Sequence, residues 1–228
     1  MTYAEYIAYH RHGDAGVEER MIASLCRHFA LNEWDAFRLI YFYTMTYHIP
    51  SALAMLLEGE RDIKKLHFRT DRRYVRCNGA FPRLLNELNQ DKFKRLLACK
   101  TTTEAYKEVR SWFFFGRYAA YLFLEVFINT FAVGKLWIDD LVPDWEPDEN
   151  YTKGAASIVG SNDPAALTLF LARARNDAAD NVFAIETSLC AVEKFRKGTR
   201  WNGYYTERML QEASESPKYG SLIYSLAR

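Results

Sequence analysis

The chain has 228 residues, a net charge of +1 at neutral pH, 49% hydrophobic and 26% charged residues. That balance suits a globular protein with one sizeable core or two small ones. It excludes large-scale disorder and a polycation that coats nucleic acid with its whole surface, so any electrostatic footprint has to come from local segregation. Its 15 tyrosines, 15 phenylalanines and 5 tryptophans serve equally as core mass and as flat faces for stacking bases. Cys26, Cys77, Cys99 and Cys190 are scattered, without a C-x-x-C pair or clustered histidines. Neither a zinc site nor a disulfide framework is expected, and a reduced, intracellular setting fits best.

In chain order, residues 1–12 are polar and aromatic and lack the apolar stretch of a secretory signal. Residues 18–30 form an amphipathic helix, and Asn32 caps a long apolar and aromatic helix over 33–48. Pro50 breaks it, and Ser51 caps a continuation to Leu57. Residues 82–97 alternate Leu84, Leu85, Leu88, Phe93, Leu96 and Leu97 with charges at helical spacing. Thr101, Thr102 and Thr103 then cap a helix through Val109 to Phe115.

After Gly116, residues 117–130 are nearly all apolar around Glu125 and read as the central, buried helix. The wider apolar region 112–138 is interrupted by Arg117, Glu125 and Lys135. No run approaches the roughly 20 apolar residues of a bilayer span, so no membrane segment is expected. Residues 139–150 and 154–162 read as loops. Asp163-Pro164 opens the next helix, to about residue 176. Val182, Ile185, Leu189, Val192 and Phe195 give the last helix a buried stripe, and Gly198 ends it. No segment alternates as a strand would. The expected fold class is all-α, one helical domain over 1–228 that could form two lobes.

Charge gathers in two places. Between residues 61 and 83 stand Arg61, Lys64, Lys65, Arg69, Arg72, Arg73, Arg76 and Arg83 against only Asp62 and Asp71. Arginine forks grip phosphate oxygens in pairs, and Phe68 and Tyr74 are interleaved for stacking, so this segment is a candidate phosphate or nucleic-acid surface; the alternative is a solvated loop. Residues 139–149 carry six carboxylates and no basic residue. Asp139 and Asp140, screened by the preceding Leu136, Trp137 and Ile138, are the candidates there for metal binding or general-base work, against the commoner reading of an exposed acidic loop. Partial burial beside a like charge would raise their proton affinity. Arg117 and Glu125 must pair or line a pocket, because an isolated charge in that apolar region is costly. His48, at the helix break among tyrosines, either donates to a substrate or is a satisfied core group.

In the last third, Glu186, Cys190, Lys194 and Lys197 share one face of the helix that carries the buried stripe. The segment Arg200-Trp201-Asn202-Gly203-Tyr204-Tyr205, with Arg208, follows it. Those residues either point into a cleft or form an ordinary solvated face.

The block Glu186-Thr187-x-Leu189-Cys190, Lys194-Phe195, Gly203-Tyr204-Tyr205 and Arg208 resembles the C-terminal signature of phage α-glutamyl/putrescinyl thymine pyrophosphorylases, the amino-acid:DNA transferases. Tyr47-His48-Ile49-Pro50 and Gly116-Arg117-Tyr118 are similar to earlier blocks of that family. The resemblance implies a helical fold like that of helix-hairpin-helix DNA glycosylases and a place in the cytoplasm of an infected host. It implies an activity on DNA that contains phosphorylated 5-hydroxymethyluracil: pyrophosphate on the 5-methylene carbon is replaced by the amine of an amino acid, such as glycine, or of a polyamine; no cofactor is expected, and a metal that assists pyrophosphate departure would leave no signature in the sequence.

For that chemistry Arg72, Arg73, Arg76 or Arg117 would absorb the charge of departing pyrophosphate, and Asp139 or Glu186 would take the proton of the amine. Lys194 or Arg200 would hold the carboxylate of an amino-acid donor. Tyr118, Trp201 or Tyr205 would line the pocket for a base taken out of the duplex. The alternatives on the same scaffold are a DNA glycosylase-like enzyme and a non-catalytic helical DNA-binding protein.

Overall fold

The computed structural model describes residues 1–76, 79–131 and 137–227, apart from the side chains of Thr70, Asp71 and Arg73. It is 69% helical, without strands among the described residues; the one pairing of extended backbone is an isolated parallel bridge between Thr101 and Ile138. No helix among the described residues is long and apolar enough to cross a membrane. The chain divides into two compact units, Met1–Val17 with Asp139–Glu207, and Glu18–Ile138 with Arg208–Arg228.

The first unit is built from α1 (Tyr3–His12), α9 (Asn150–Val159), α10 (Pro164–Ala178) and α11 (Val182–Arg196), and it takes in the start of α12 (Tyr204–Ser214). Thr2 and Glu5 form a reciprocal capping box that starts α1. Asp163 and Asn181 cap α10 and α11 through their side-chain oxygens, with Pro164 at the first helical position of α10. Residues 154–162 are not a loop: Gly154 lies inside α9, and Gly160 in the left-handed conformation ends it. The glycine is there because α9 crosses α11 so closely that a methyl group at 154 would overlap the carbonyl oxygen of Leu189. Val182, Ile185, Leu189 and Val192 are buried on α11.

The second unit holds α2 (Val17–His28), α3 (Glu33–Thr46), α4 (Ile49–Leu53), α5 (Ala80–Glu87), α6 (Gln90–Ala98), α7 (Thr102–Arg110), α8 (Arg117–Phe131), the end of α12 and α13 (Gly220–Leu226). A π-turn at Ala54–Glu58 extends α4, and a 3-10 segment covers Thr70–Arg76. Its centre is aromatic. Phe37 of α3 touches Phe93, Trp112, Phe123 and Phe127, with ring centroids 5.0 to 6.4 Å apart. Each such ring contributes about 1.5–3 kcal/mol on burial, and edge-to-face pairs add to that. Ten consecutive residues of α8, Ala119 to Ile128, are buried, which makes it the central helix expected from its sequence.

Three boundaries depart from the sequence reading. Residues 82–97 are two helices, because Leu88 turns extended and Asn89 caps α6 by accepting from the amide of Lys92. The helix capped by Thr101 stops at Arg110, short of Phe115. The break at Pro50 is capped by His48, whose ring nitrogen accepts from the amide of Ser51 and relieves Ser51 of the capping role.

Candidate functional site

The polar heart of the second unit starts from two glutamates that sit on the wrong side of an amphipathic helix. Glu18 and Glu19 of α2 lie one turn before Ile22 and Ala23 and are as buried as those residues. Burying a carboxylate demands a partner. Arg69 provides it for Glu18: its guanidinium donates to both Glu18 oxygens at 2.6 and 2.8 Å, and the Tyr43 hydroxyl donates to the same carboxylate at 3.0 Å. The other edge of Arg69 faces Glu212 of α12, with Nε 3.0 Å from Oε1 and Nη1 donating to Oε2 at 3.1 Å. Arg208, one turn earlier on α12, donates to Glu212 at 3.3 Å.

Aromatic rings close the cluster. Tyr47 ends α3 in the left-handed conformation, φ 48°, a placement that costs a non-glycine residue of order 1–3 kcal/mol and that concentrates at functional sites. It sets its ring under the Arg69 guanidinium, 4.6 Å away, and 6.0 Å from the ring of Tyr118 on α8. Arg72 in turn lies over Tyr118 at 5.5 Å. The amide of Arg69 donates to Thr46, one residue before Tyr47.

Next to this cluster opens a polar cavity of about 290 Å³, lined by His48, Lys64, His67, Arg69, Arg76 and Glu212 among others. Its size is near the lower end of small-molecule sites. The His48 and His67 rings stack at 5.1 Å, and His48 Nε2 lies 3.8 Å from Glu212. His48 Nδ1 is held 2.9 Å from the Ser51 hydroxyl, which also accepts from the amide of His67.

The titrations of these groups are spread apart. Burial, helped by Glu18 and opposed by Arg69, raises the Glu212 carboxyl to about 7. Burial next to Glu18 raises Glu19 to about 7. Burial, with His67 and Arg69 adding their charge, pushes His48 down to about 3. Near neutrality the cavity therefore offers a carboxyl poised between its two forms, an uncharged imidazole and the cations of Lys64 and Arg76. Perturbed groups of this kind in a cleft mark functional sites.

The residues singled out from sequence fall in both units. His48, Arg72, Arg76, Arg117, Tyr118 and Arg208 belong to the second unit, and His48 and Arg76 line the cavity itself. Arg117 stacks 5.8 Å from the Tyr121 ring. The side chain of Arg73, like Cys77 and the stretch of Lys135 and Leu136, lies outside the described residues.

Glu186, Lys194, Asp139, Asp140, Arg200, Trp201 and Tyr205 belong to the first unit. Glu186 is buried and accepts from the Cys190 thiol at 3.5 Å, so the reading of a solvated carboxylate with a merely packing thiol does not hold. Lys194 is half-buried, and Lys197 pairs with Glu193 at 3.1 Å.

Asp139 does not stand as half of a carboxylate pair. Arg175 grips it at 2.7 and 3.1 Å, and it accepts from the amide of Val182 at 3.1 Å, which ties the loop after residue 138 to the start of α11. Asp140 is exposed. Arg200 stacks on Tyr204 at 4.0 Å, Trp201 donates to Glu207, and the amide of Tyr205 donates to Asp14, whose carboxylate caps α12.

Glu18, Glu19, Glu212 and His67 went unremarked as site residues in the sequence, whereas Lys64 and Arg69 belong to the basic segment singled out there. The signal for Glu18 and Glu19 was their register, since each stands three and four residues before an apolar position of α2. Glu212 had only its i,i+4 step from Arg208. Among the described residues no cluster of histidine, cysteine and carboxylate side chains could hold a metal ion. No family model, curated protein or solved structure matches the chain.

Proposed function

We propose that this chain is a transferase acting on DNA that carries pyrophosphorylated 5-hydroxymethyluracil, replacing the pyrophosphate with an amine from an amino acid or polyamine, and that the transfer centres on the cavity at Glu212. The observation that carries this reading is the placement, in one cavity, of a carboxyl raised to about 7 with two unburied cations, Lys64 and Arg76. A base with a pKa near the working pH combines a useful ionised fraction with a real affinity for protons.

The ionised Glu212 takes a proton from the attacking amine. The amine nitrogen forms a bond to the 5-methylene carbon, the carbon–oxygen bond breaks, and the bonding pair leaves on the diphosphate. Lys64 and Arg76 meet that growing negative charge. Arg69 and Arg208 fix the carboxylate of Glu212 in position, and His48 stays uncharged beside it. In this reading Glu186, the base expected from sequence, keeps a role only in the first unit.

The test is to incubate the protein with DNA that contains 5-pyrophosphoryloxymethyluracil and a mixture of amines, then digest the DNA and weigh the nucleosides. A nucleoside whose mass is that of the substrate plus one amine minus pyrophosphoric acid supports the reading. Unchanged nucleosides, or abasic sites, overturn it. With transfer in hand, kcat/KM rises with pH and levels off above about 7, where Glu212 is ionised. Glu212→Gln abolishes that limb and lowers the rate by about 10²–10⁴. A Gln variant with the same pH profile removes Glu212 from the role of base.

A further inference from the structure

We propose that the loop 111–116 is a wedge that enters the base stack of double-stranded DNA, with Phe114 as the inserted side chain and Arg83, Arg110 and Arg117 as its phosphate contacts. The choice of DNA as partner rests on the function proposed above; the geometry of the loop does not.

Phe114 adopts φ +65°, in the left-handed region that glycine occupies freely and a bulky side chain does not. The residue is 39% exposed, more than any ring of the core. The loop around it is fixed. Trp112 and Phe115, on either side, are buried, and the amides of Trp112 and Phe115 close turns onto Val109 and Trp112 at 3.1 Å. A rigid base under an exposed aromatic tip is the geometry of side chains that part stacked bases.

Cations ring the tip. The Arg83 guanidinium lies 3.7 Å from the centroid of Phe113, whose ring touches Phe114 at 5.1 Å. Arg110 ends α7 and Arg117 begins α8, each stacked on a tyrosine, Tyr106 and Tyr121, and those two rings meet at 5.3 Å. Arg83 is exposed and pairs at 2.9 Å with the half-buried Glu87 one helical turn on, a single partly solvated contact with which a phosphate competes.

Tyr118 follows Phe114 by four residues and packs on Tyr47, the ring beneath Arg69, which lines the cavity.

The experiment uses the full chain and an unmodified duplex with 2-aminopurine at a central step, so it needs no transfer. Wild type raises the 2-aminopurine fluorescence on binding. Phe114→Gly, whose backbone suits the loop, melts at the wild-type temperature or above, loses the fluorescence rise and binds the duplex roughly tenfold or more weaker, as removal of one stacking side chain does. Phe114→Trp keeps both signals.

A Phe114→Gly variant that binds and unstacks like wild type overturns the wedge, and so does a wild type that binds without unstacking. Amine transfer at wild-type rate by an otherwise equal Phe114→Gly protein leaves the transferase standing and removes the wedge. Phe114-dependent unstacking without any transfer does the reverse.

Discussion

Replacing Arg69 by methionine tests whether the buried cluster of the second unit is held by one guanidinium. Arg69 makes four close approaches, at 2.6 and 2.8 Å to Glu18 and at 3.0 and 3.1 Å to Glu212, while Glu18 itself is 2% exposed. Methionine fills the volume but takes away the guanidinium that meets both Glu18 oxygens. Breaking a buried pair from one side costs about 3–5 kcal/mol, because a charge stays behind in a poor solvent. At about 2–4 °C per kcal/mol for a chain of this size, melting falls by roughly 6–20 °C.

Urea denaturation followed by far-UV circular dichroism gives the stability, and the double variant Glu18→Gln with Arg69→Met isolates its cause. Removal of the stranded charge restores more than half of the loss in the double variant. Acidification narrows the deficit of the single variant, since the carboxyls of Glu18 and Glu212 then protonate and no longer need the cation. A single variant that loses less than about 1 kcal/mol, or a double variant no better than the single, refutes the view that Arg69 neutralises this cluster.

Glu19, raised to about 7 by burial and by Glu18, binds its proton more tightly folded than unfolded. The stability this confers is complete below about 4.5, the carboxyl's ordinary value, and is lost as the pH climbs through 7. Denaturation between pH 5 and 8 therefore shows the wild type weakening, and Glu19→Gln removes a share on the order of 3 kcal/mol of that fall; a parallel slope in the variant disproves the assignment. His48→Ala costs about 1–2 kcal/mol by uncapping α4, while His48→Asn, which can accept from the amide of Ser51, regains most of it in the same titration. Asp139→Asn lowers stability by about 1.5–3 kcal/mol through the lost grip of Arg175; a hundredfold loss of transfer at unchanged stability would instead return Asp139 to the role of base.

The helices were legible where local chemistry and packing agree. Asn32, Thr101 and Asp163 are side-chain caps at the positions where their sequence places them, and four of the five stripe residues of α11 are buried, Phe195 at its end being half-buried. Gly154 misled because a glycine inside a helix reads as a breaker, and only the partner helix explains it: the approach of α9 to the Leu189 carbonyl depends on a residue 35 positions away. The split between α5 and α6 was missed for the opposite reason. The apolar period runs unbroken across Leu88, so the cap at Asn89 was hidden under a pattern that two helices share equally well.

The candidate site was legible in one half only. Its cations were visible because arginine and lysine crowd into residues 61–83, and Arg76, with His48 at the helix break, does line the cavity. Its carboxylates were not, because what makes Glu212 and Glu19 unusual is burial next to Glu18 and Arg69, and those contacts join residues 51 and 143 positions apart. The acidic run 139–149 drew attention through density instead, yet density is what solvent-facing carboxylates show: Asp140 is exposed, and Asp139 spends its charge on Arg175. Few carboxylates in an apolar register are therefore the stronger sign of chemistry than many in a polar one. On α2 that rule selects Glu18 and Glu19 from a glutamate pair that charge counting alone would assign to the helix dipole.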